Sequence, residues 1–243
     1  MAAPAKRQSP PVGEGLSDSA VAIGKLASEL SLHGLIPRGG FNFKADEAVP
    51  VGRSGAPPRS VLLVGQAGAA PWPHFQAWRR GRPAGLQNPL DTWSREVIGA
   101  VGETFGARVV SPSDRPYLPF QQWAMRAEGL RPSPLGVLMH PEYGLWHAYR
   151  GALLFEEEMA FERADKAIHL CDACVGKPCL KACPVGAYSG AAFAHGECLA
   201  HVRGAQGGAC RTGGCLDRNA CPYGTEHRYP ADMQAFHMAA FAA

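Results

Sequence analysis

Residues 171–184, CDACVGKPCLKACP, place four cysteines at the spacing C-x2-C-x4-C-x3-C-P. Thiolates are grouped this closely when they converge on a soft metal centre. The other cysteines follow before residue 222, and the last of them also precedes a proline. In chain order the eight are Cys171, Cys174, Cys179, Cys183, Cys198, Cys210, Cys215 and Cys221. The sequence therefore predicts that this region binds metal.

The first four cysteines resemble the run C-x2-C-x2-C-x3-C-P of bacterial two-cluster ferredoxins, with two extra residues before the third cysteine. In those proteins the first three cysteines of a run bind one cluster, and the cysteine before proline binds the other. The resemblance implies an iron–sulfur protein with two [4Fe–4S] clusters that use all eight cysteines. One cluster would be held by Cys171, Cys174, Cys179 and Cys221, and the other by Cys183, Cys198, Cys210 and Cys215.

The second half of this region departs from the ferredoxin spacing. Four residues separate Cys210 from Cys215, and five separate Cys215 from Cys221. A [3Fe–4S] cluster, or no cluster, are therefore alternatives for the second site. Two zinc sites with four cysteine ligands each are a further alternative, although zinc ribbons pair C-x2-C knuckles and this chain has one.

Composition and charge narrow the class of protein. The formal net charge is +3, and no basic run supports binding of nucleic acid. No stretch of apolar residues is long enough to predict a membrane span. Cysteines confined to one region argue against a disulfide-stapled secreted protein, and residues 1–18 lack the apolar segment of an export signal. We therefore expect a cytoplasmic protein with a disordered leader over residues 1–18.

Hydrophobic periodicity and capping residues predict the order of helices and strands in the rest of the chain. Gly39-Gly40 and the proline-rich residues 50–58 predict a long loop, and residues 135–139 and 148–155 predict a hairpin-like strand pair. The other predicted elements are a helix from Asp18 to His33, a buried strand at 60–65, a helix from Asn88-Pro89 to Gly106, a strand at 108–110, a helix at 120–128 and a helix at 231–241.

Residues 121–151, QQWAMRAEGLRPSPLGVLMHPEYGLWHAYRG, resemble the epoxyqueuosine reductases and their reductive-dehalogenase relatives. The stretch from Asn88 through the same loop is also similar to the cobalamin-processing proteins. The resemblance implies an α/β module (α+β, nitroreductase-related) over residues 19–160 that holds a corrinoid or flavin. It implies a small cysteine-rich, ferredoxin-like domain over residues 168–228, followed by a C-terminal helix over residues 229–243. His140, Tyr143 and Trp146 are the candidate cofactor-binding residues.

Two functions from different classes follow. The first is an iron–sulfur electron-transfer protein that docks a redox partner protein. The alternative is an iron–sulfur-dependent oxidoreductase, in which the clusters deliver electrons to a corrinoid or flavin in the N-terminal module. A structural zinc protein is a second alternative. No motif ranks the candidate catalytic acids, which are Asp91, Asp114, Glu128 and Glu142.

Overall fold

The structure is a computed structural model that describes residues 12–162, 168–190 and 192–243. In the first part of the chain, helices and strands alternate irregularly. They are α1 (Val12–Ser31), β1 (Ile36–Asn42), β2 (Ser60–Ala67), α2 (Trp72–Arg80), α3 (Pro89–Thr104), β3 (Arg108–Val110), α4 (Phe120–Glu128), β4 (Arg131–Pro132), β5 (Leu138–Met139) and β6 (His147–Phe155). The cysteine-rich part contains only short helices before the last one. They are α5 (Leu170–Ala173), α6 (His195–Arg203), α7 (Gly208–Gly213), α8 (Leu216–Asn219) and α9 (Ala231–Ala242), with 3-10 turns at Pro178–Leu180, Ala205–Gly207 and Thr225–His227.

The centre of the molecule is an antiparallel sheet of four strands in the order β1-β2-β6-β3. Strand β2 is buried on both faces, because its side chains alternate between two hydrophobic cores. Leu62 and Val64 face the core that contains residues of α1, α2, α3 and α9, whereas Val61 and Leu63 face the core formed with α4. The predicted mixture of helices and strands is confirmed as an α+β arrangement with a small antiparallel sheet.

Several predicted elements are confirmed. Helix α3 begins at Pro89 after Asn88, and helix α4 has the predicted bounds. The strand at 108–110 and the C-terminal helix are also present, and β2 and β6 occupy the predicted apolar runs. These segments were predictable because each buries one or both faces, and burial produces apolar residues at the period of a helix or a strand.

Three predictions about the first part of the chain are wrong. Strand β5 pairs with β4, whereas β6 pairs with β2 and β3, so the predicted hairpin of residues 135–139 and 148–155 does not form. Gly39 and Gly40 lie in β1 rather than in a loop, at an irregularity of the β1–β2 register. The first helix begins at Val12 rather than at Asp18, and residues 1–11 of the predicted leader lie outside the described residues.

The C-terminal helix α9 joins the cysteine-rich part to the α+β module. The Trp72 indole N–H donates to Asp232 Oδ2 over 2.7 Å, which ties α2 to α9. The Phe236 ring packs at 5.3 Å from the rings of both Trp72 and Phe75. Met233 is buried in the core beside the sheet. On its other side, α9 contacts α7 and α6.

Among the helices that the structure describes, none combines the length and apolar character needed to cross a bilayer.

Candidate functional site

The thiols predicted to hold the first cluster influence one another electrostatically. Burial, followed by the thiols of Cys221, Cys179 and Cys174, raises the pKa of Cys171 to about 11. Burial and the same neighbours, Cys221 and Cys174, also raise the pKa of Cys179. After burial, Cys174 contributes to the raised pKa of Cys221. A thiolate is disfavoured within electrostatic range of other thiolates, and this effect adds to the larger effect of burial. We call Cys171, Cys174, Cys179 and Cys221 the first cysteine set.

The remaining four cysteines form a second group. Burial, followed by the thiols of Cys215, Cys183 and Cys210, raises the pKa of Cys198 to about 11. After burial, Cys183 contributes to the raised pKa of both Cys210 and Cys215. Cys183 thus interacts with the later cysteines rather than with its neighbours in the run at 171–184. We call Cys183, Cys198, Cys210 and Cys215 the second cysteine set.

All eight cysteines have free thiols. Over residues 12–162, 168–190 and 192–243, no three His, Cys, Asp or Glu side chains are grouped as ligands of a metal ion.

Local backbone conformations turn the chain around the two sets. Gly214, immediately before Cys215, has φ +85°, and a side chain there would collide with Gln234 of α9. Lys177 adopts φ +44° between Cys174 and Cys179, and its ammonium donates to the carbonyl oxygen of Cys171. Left-handed conformations at such positions let a short segment present several thiols to one point.

The first cysteine set packs directly on the α+β module. Cys171, Cys179 and Cys221 share a small hydrophobic core with three module residues, which are Leu135, Met139 and Leu145. The guanidinium of Arg218, between the two last cysteines, donates to the carbonyl oxygen of Leu145 over 2.5 Å. The loop from His140 to Trp146 therefore lies against the first set rather than the second.

Two of the three predicted cofactor-binding residues form a stacked pair in that loop. The rings of His140 and Tyr143 lie 4.0 Å apart at an angle of 6°. His140 Nδ1 accepts the backbone N–H groups of Glu142 and Tyr143, each at 3.1 Å, so the imidazole caps the turn. Burial, followed by the positive charge of Arg38, lowers the pKa of His140 to about 4. The imidazole is therefore neutral near pH 7, with its proton on Nε2.

The third of these residues, Trp146, is fully buried. Its ring packs against Tyr229 with a centroid separation of 5.4 Å, and the guanidinium of Arg218 lies 4.5 Å from its centroid. Its indole Nε1 has no hydrogen-bond partner among the described residues. Trp146 thus belongs to the packing between the sheet and the cysteine-rich part, apart from the His140–Tyr143 pair.

A buried ionic network around Arg38 lies next to this pair, and no sequence motif predicts it. Arg38 is 2% exposed and makes a bidentate pair with Glu128, at 2.7 and 2.9 Å. The Tyr149 hydroxyl also donates to Glu128. His147 Nδ1 accepts from Arg38 at 3.3 Å, while its Nε2 donates to the carbonyl oxygen of Leu138 at 2.9 Å. Because each of these groups is engaged by another, the network fixes the geometry of β1, α4 and β6.

This network includes Glu128, one of the four candidate catalytic acids. Glu128 is occupied by Arg38 and Tyr149. Asp114 is occupied elsewhere, by Arg95 and the backbone N–H of Ser111. The structure does not bring the four candidate acids together.

A cleft with a volume of about 990 Å³ lies between α2, the following loop and α9. Aromatic side chains of Trp72, Phe75 and Phe236 line it, together with the cationic Arg79 and Arg82. Its volume falls in the range of small-molecule binding sites. His140, Tyr143 and Trp146 are not among its lining residues.

No family model matches the sequence, and no curated protein matches it. Among solved structures, the chain is similar to a C. elegans B12-trafficking protein, CblC, described as a homologue of human MMACHC, with a TM-score of 0.53 and 13% identity over 91% of this chain and 92% of that chain. An epoxyqueuosine reductase bound to a tRNA-Tyr stem loop gives a TM-score of 0.46 at 16% identity, over 73% of this chain and 52% of that chain. The corresponding enzyme from Bacillus subtilis gives 0.43 at 18% identity, over 72% and 51%. This chain therefore spans about half the length of the reductases. The predicted fold likeness to cobalamin-processing proteins is confirmed by the CblC structure.

Proposed function

We propose that the chain is an iron–sulfur electron-transfer protein with two [4Fe–4S] clusters. The first cysteine set would hold one cluster and the second set the other. When bound, such clusters accept and release single electrons. The role of the chain is to position the thiolates, to shield them and to present them to a redox partner protein. A cytoplasmic location stays a prediction.

The observation that carries this proposal is the division of the eight thiols into two groups of four. The thiols that raise the pKa of Cys171 are all in the first set, and those that raise the pKa of Cys198 are all in the second. This division matches the interlocked ligand pattern of two-cluster ferredoxins, in which the cysteine before each proline serves the other cluster. Four thiolates around each centre are the donor set that a [4Fe–4S] cluster requires.

The composition of the holoprotein tests the proposal. We expect protein purified without oxygen to contain about eight iron atoms and as many acid-labile sulfides per chain. It should also be reducible in two one-electron steps. Protein that binds zinc and no iron under these conditions would be the structural zinc protein instead.

Pairs of substitutions test how the ligands are shared. Cys171→Ala with Cys221→Ala removes two ligands of the same cluster, so about four iron atoms should remain. Cys171→Ala with Cys183→Ala removes one ligand from each cluster, so both should be lost. If the four cysteines of 171–184 instead shared one cluster, the two results would be exchanged. The two double variants therefore serve as controls for each other.

The CblC likeness and the cleft beside α9 favour a second candidate, a reductase that binds a corrinoid or flavin. The similar C. elegans structure is that of a B12-trafficking protein, and the similarity covers 91% of this chain. The first cysteine set packs on the α+β module through Leu135, Met139 and Leu145, which suits electron delivery into that module. Under this hypothesis the aromatic and cationic cleft residues would bind and orient the cofactor.

A cofactor-binding measurement distinguishes a reductase from a protein that only carries electrons. If the chain is such a reductase, titration with hydroxocobalamin or with FMN should quench its tryptophan fluorescence until the binding site is saturated. Leu86→Trp fills the cleft and should abolish the response, because Leu86 lines it. Leu32→Trp is the matched control, since Leu32 is 64% exposed. A chain that binds neither compound, yet shuttles electrons between partners, is an electron carrier only.

A further inference from the structure

The cleft between α2, the following loop and α9 has charged side chains of one sign only. Arg79, Arg80 and Arg82 line it, and no aspartate or glutamate is among its lining residues. The whole chain has 24 lysines and arginines against 21 aspartates and glutamates, so its overall composition does not account for this bias. An excess of positive charge around a concave surface attracts anions.

Two acidic side chains contact residues of the cleft, and both are engaged there. Glu96 accepts a hydrogen bond from Arg82 over 3.0 Å. Asp232 accepts from the Trp72 indole over 2.7 Å and from the Gln76 amide over 3.0 Å. Among the described residues, only one of the three arginines in the cleft is therefore paired with a carboxylate.

Arg79 orders the loop that forms one wall of the cleft. Its two terminal nitrogens donate to the carbonyl oxygens of Arg82, Pro83 and Ala84, at 3.2, 2.7 and 2.7 Å. These bonds occupy carbonyl oxygens that would otherwise repel an anion. Because a carbonyl oxygen carries only a partial charge, the positive charge of Arg79 is not neutralised. The wall is therefore both ordered and cationic, and the exposed Arg80 adds a second positive charge.

The floor of the cleft is apolar. It consists of Trp72, Phe75 and Phe236, with the Phe236 ring 5.3 Å from each of the other two rings. The neighbouring residues of α9, Ala239 and Ala240, are exposed and carry only methyl groups, so they leave the cleft open. A volume of about 990 Å³ accommodates a molecule of several rings.

We propose that this cleft binds a small aromatic molecule that carries a strongly acidic group, such as a phosphate, sulfonate or carboxylate. Apolar contact with the floor supplies affinity, and Arg79 and Arg80 select for the acidic group through charge-assisted hydrogen bonds. The inference specifies the ligand chemistry of the cleft named for the second candidate function, and it holds whether or not the chain binds clusters.

A pair of fluorescent dyes tests the selectivity of the cleft in the full chain, purified without oxygen. Anilinonaphthalene sulfonate and phenylnaphthylamine have the same rings, and only the first carries an acidic group. We expect the sulfonate to bind more tightly. The difference should shrink between about 0.01 M and about 1 M salt, because salt screens exposed charges. Displacement of the sulfonate by naphthyl phosphate or by naphthoate then distinguishes a phosphate ligand from a carboxylate.

Substitutions locate the bound dye. Arg80→Gln removes one exposed charge from the cleft, and we expect the sulfonate to bind about fivefold more weakly, the effect of one charge–charge contact in water. Binding of the uncharged dye should not change. Arg115→Gln is the matched control, because Arg115 is also exposed and does not line the cleft. Leu86→Trp fills the cleft and should abolish the binding of both dyes.

Four outcomes overturn the inference. They are no dye binding by the unsubstituted chain, equal affinity for the two dyes, unchanged sulfonate affinity in Arg80→Gln, and an equal loss of affinity in Arg115→Gln. Dye binding that persists in Leu86→Trp also contradicts it, because the dyes would then bind elsewhere. Iron analysis of the same samples tests the proposed function separately, since a chain without iron refutes the clusters and does not alter the dye measurements.

Discussion

At the scale of single residues, the buried pair of Arg38 and Glu128 is the most consequential contact outside the cysteine sets. The side chains of Arg38 and Glu128 are 1% and 14% exposed. Burial, the largest single effect, lowers the pKa of Arg38, but the electrostatic effects of Tyr149 and Glu128 and the hydrogen bond to Glu128 together raise it above its ordinary value. Removal of one partner of such a pair leaves an uncompensated charge in the interior.

We therefore expect Glu128→Gln to lower the free energy of unfolding by about 3–5 kcal/mol. Urea denaturation followed by circular dichroism measures this change. Glu103→Gln is the control, because Glu103 pairs with Arg53 at the surface with side-chain exposures of 74% and 45%. Exposed pairs contribute about 0–1 kcal/mol. Equal losses in the two variants would show that the buried pair has no special role.

His147 makes the stability of the fold depend on pH. Burial, followed by the charge of Arg38, lowers its pKa to about 3, with smaller contributions from His140 and Arg218. The unfolded chain binds a proton at the ordinary histidine pKa, so it takes up more protons than the folded chain at mildly acidic pH. The contribution of His147 is complete above about pH 6.5 and is lost as the pH falls towards about 3.

We expect the free energy of unfolding to fall between about pH 6.5 and pH 4.5, with about 1.4 kcal/mol per pH unit due to His147. His147→Gln, which cannot take up this proton, should show a shallower slope over the same range. His74→Gln, at an exposed position, should keep the slope of the parent chain. Identical slopes in all three proteins would contradict the assignment to His147.

At the scale of elements, helix α9 is part of the core of the α+β module although it follows the cysteines in sequence. Met233 is 1% exposed and packs in the same core as Leu62 and Val64 of β2. We expect Met233→Ala to cost about 2–5 kcal/mol of unfolding free energy. Met125→Ala, at a side chain that is 37% exposed, is the control. A cost below that of the control would mean that α9 only rests on the surface.

A helix or strand could be predicted from the sequence when its own residues stabilise it, and could not when contacts with distant residues do. Helix α3 was predictable because its own residues supply a proline start and an apolar face. Strand β1 was not, because a bulge places Gly39 at φ +66° and Gly40 too close to Val61 for a side chain, and both glycines resemble loop signals in the sequence. The partner of β5 was also unpredictable, since two residues carry no pairing pattern.

The candidate site likewise contains features that the sequence predicts and features that depend on tertiary structure. The spacing of the cysteines and their two prolines predict how the eight thiols divide between two clusters, and that division stays a prediction. Asp217, a buried acid between Cys215 and Cys221, was not predicted, because its hydrogen bonds from the backbone N–H groups of Ala182 and Cys183 depend on tertiary structure. Arg38 had no local signal, because its partner lies 90 residues away in the sequence.

At the scale of the whole molecule, the two parts of the chain differ in what stabilises them. The α+β module has two hydrophobic cores around its sheet. The cysteine-rich part has short helices, and four of its buried side chains are cysteines. Under the proposed function, metal binding supplies much of the folding free energy of that part.

We therefore expect removal of iron by a chelator to abolish amide-exchange protection in residues 171–221 and to leave it intact in strand β2. Hydrogen-exchange mass spectrometry of the apo and holo proteins measures both regions in one sample. Strand β2 is the internal control, since it lies between both hydrophobic cores. Equal protection of residues 171–221 in the two forms would contradict the prediction.

Gly144 and Gly224 bring the backbones of the α+β module and the cysteine-rich part into close contact. A β-carbon on Gly144 would collide with the carbonyl oxygen of Tyr223, and one on Gly224 would collide with the backbone of Tyr143. Both glycines have positive φ, +56° and +66°, so a side chain would also strain the backbone. Under the second candidate function, in which the α+β module holds a redox cofactor, the methyl group of Gly144→Ala would widen this contact, and flash-reduction measurements should show slower electron transfer across it at unchanged iron content.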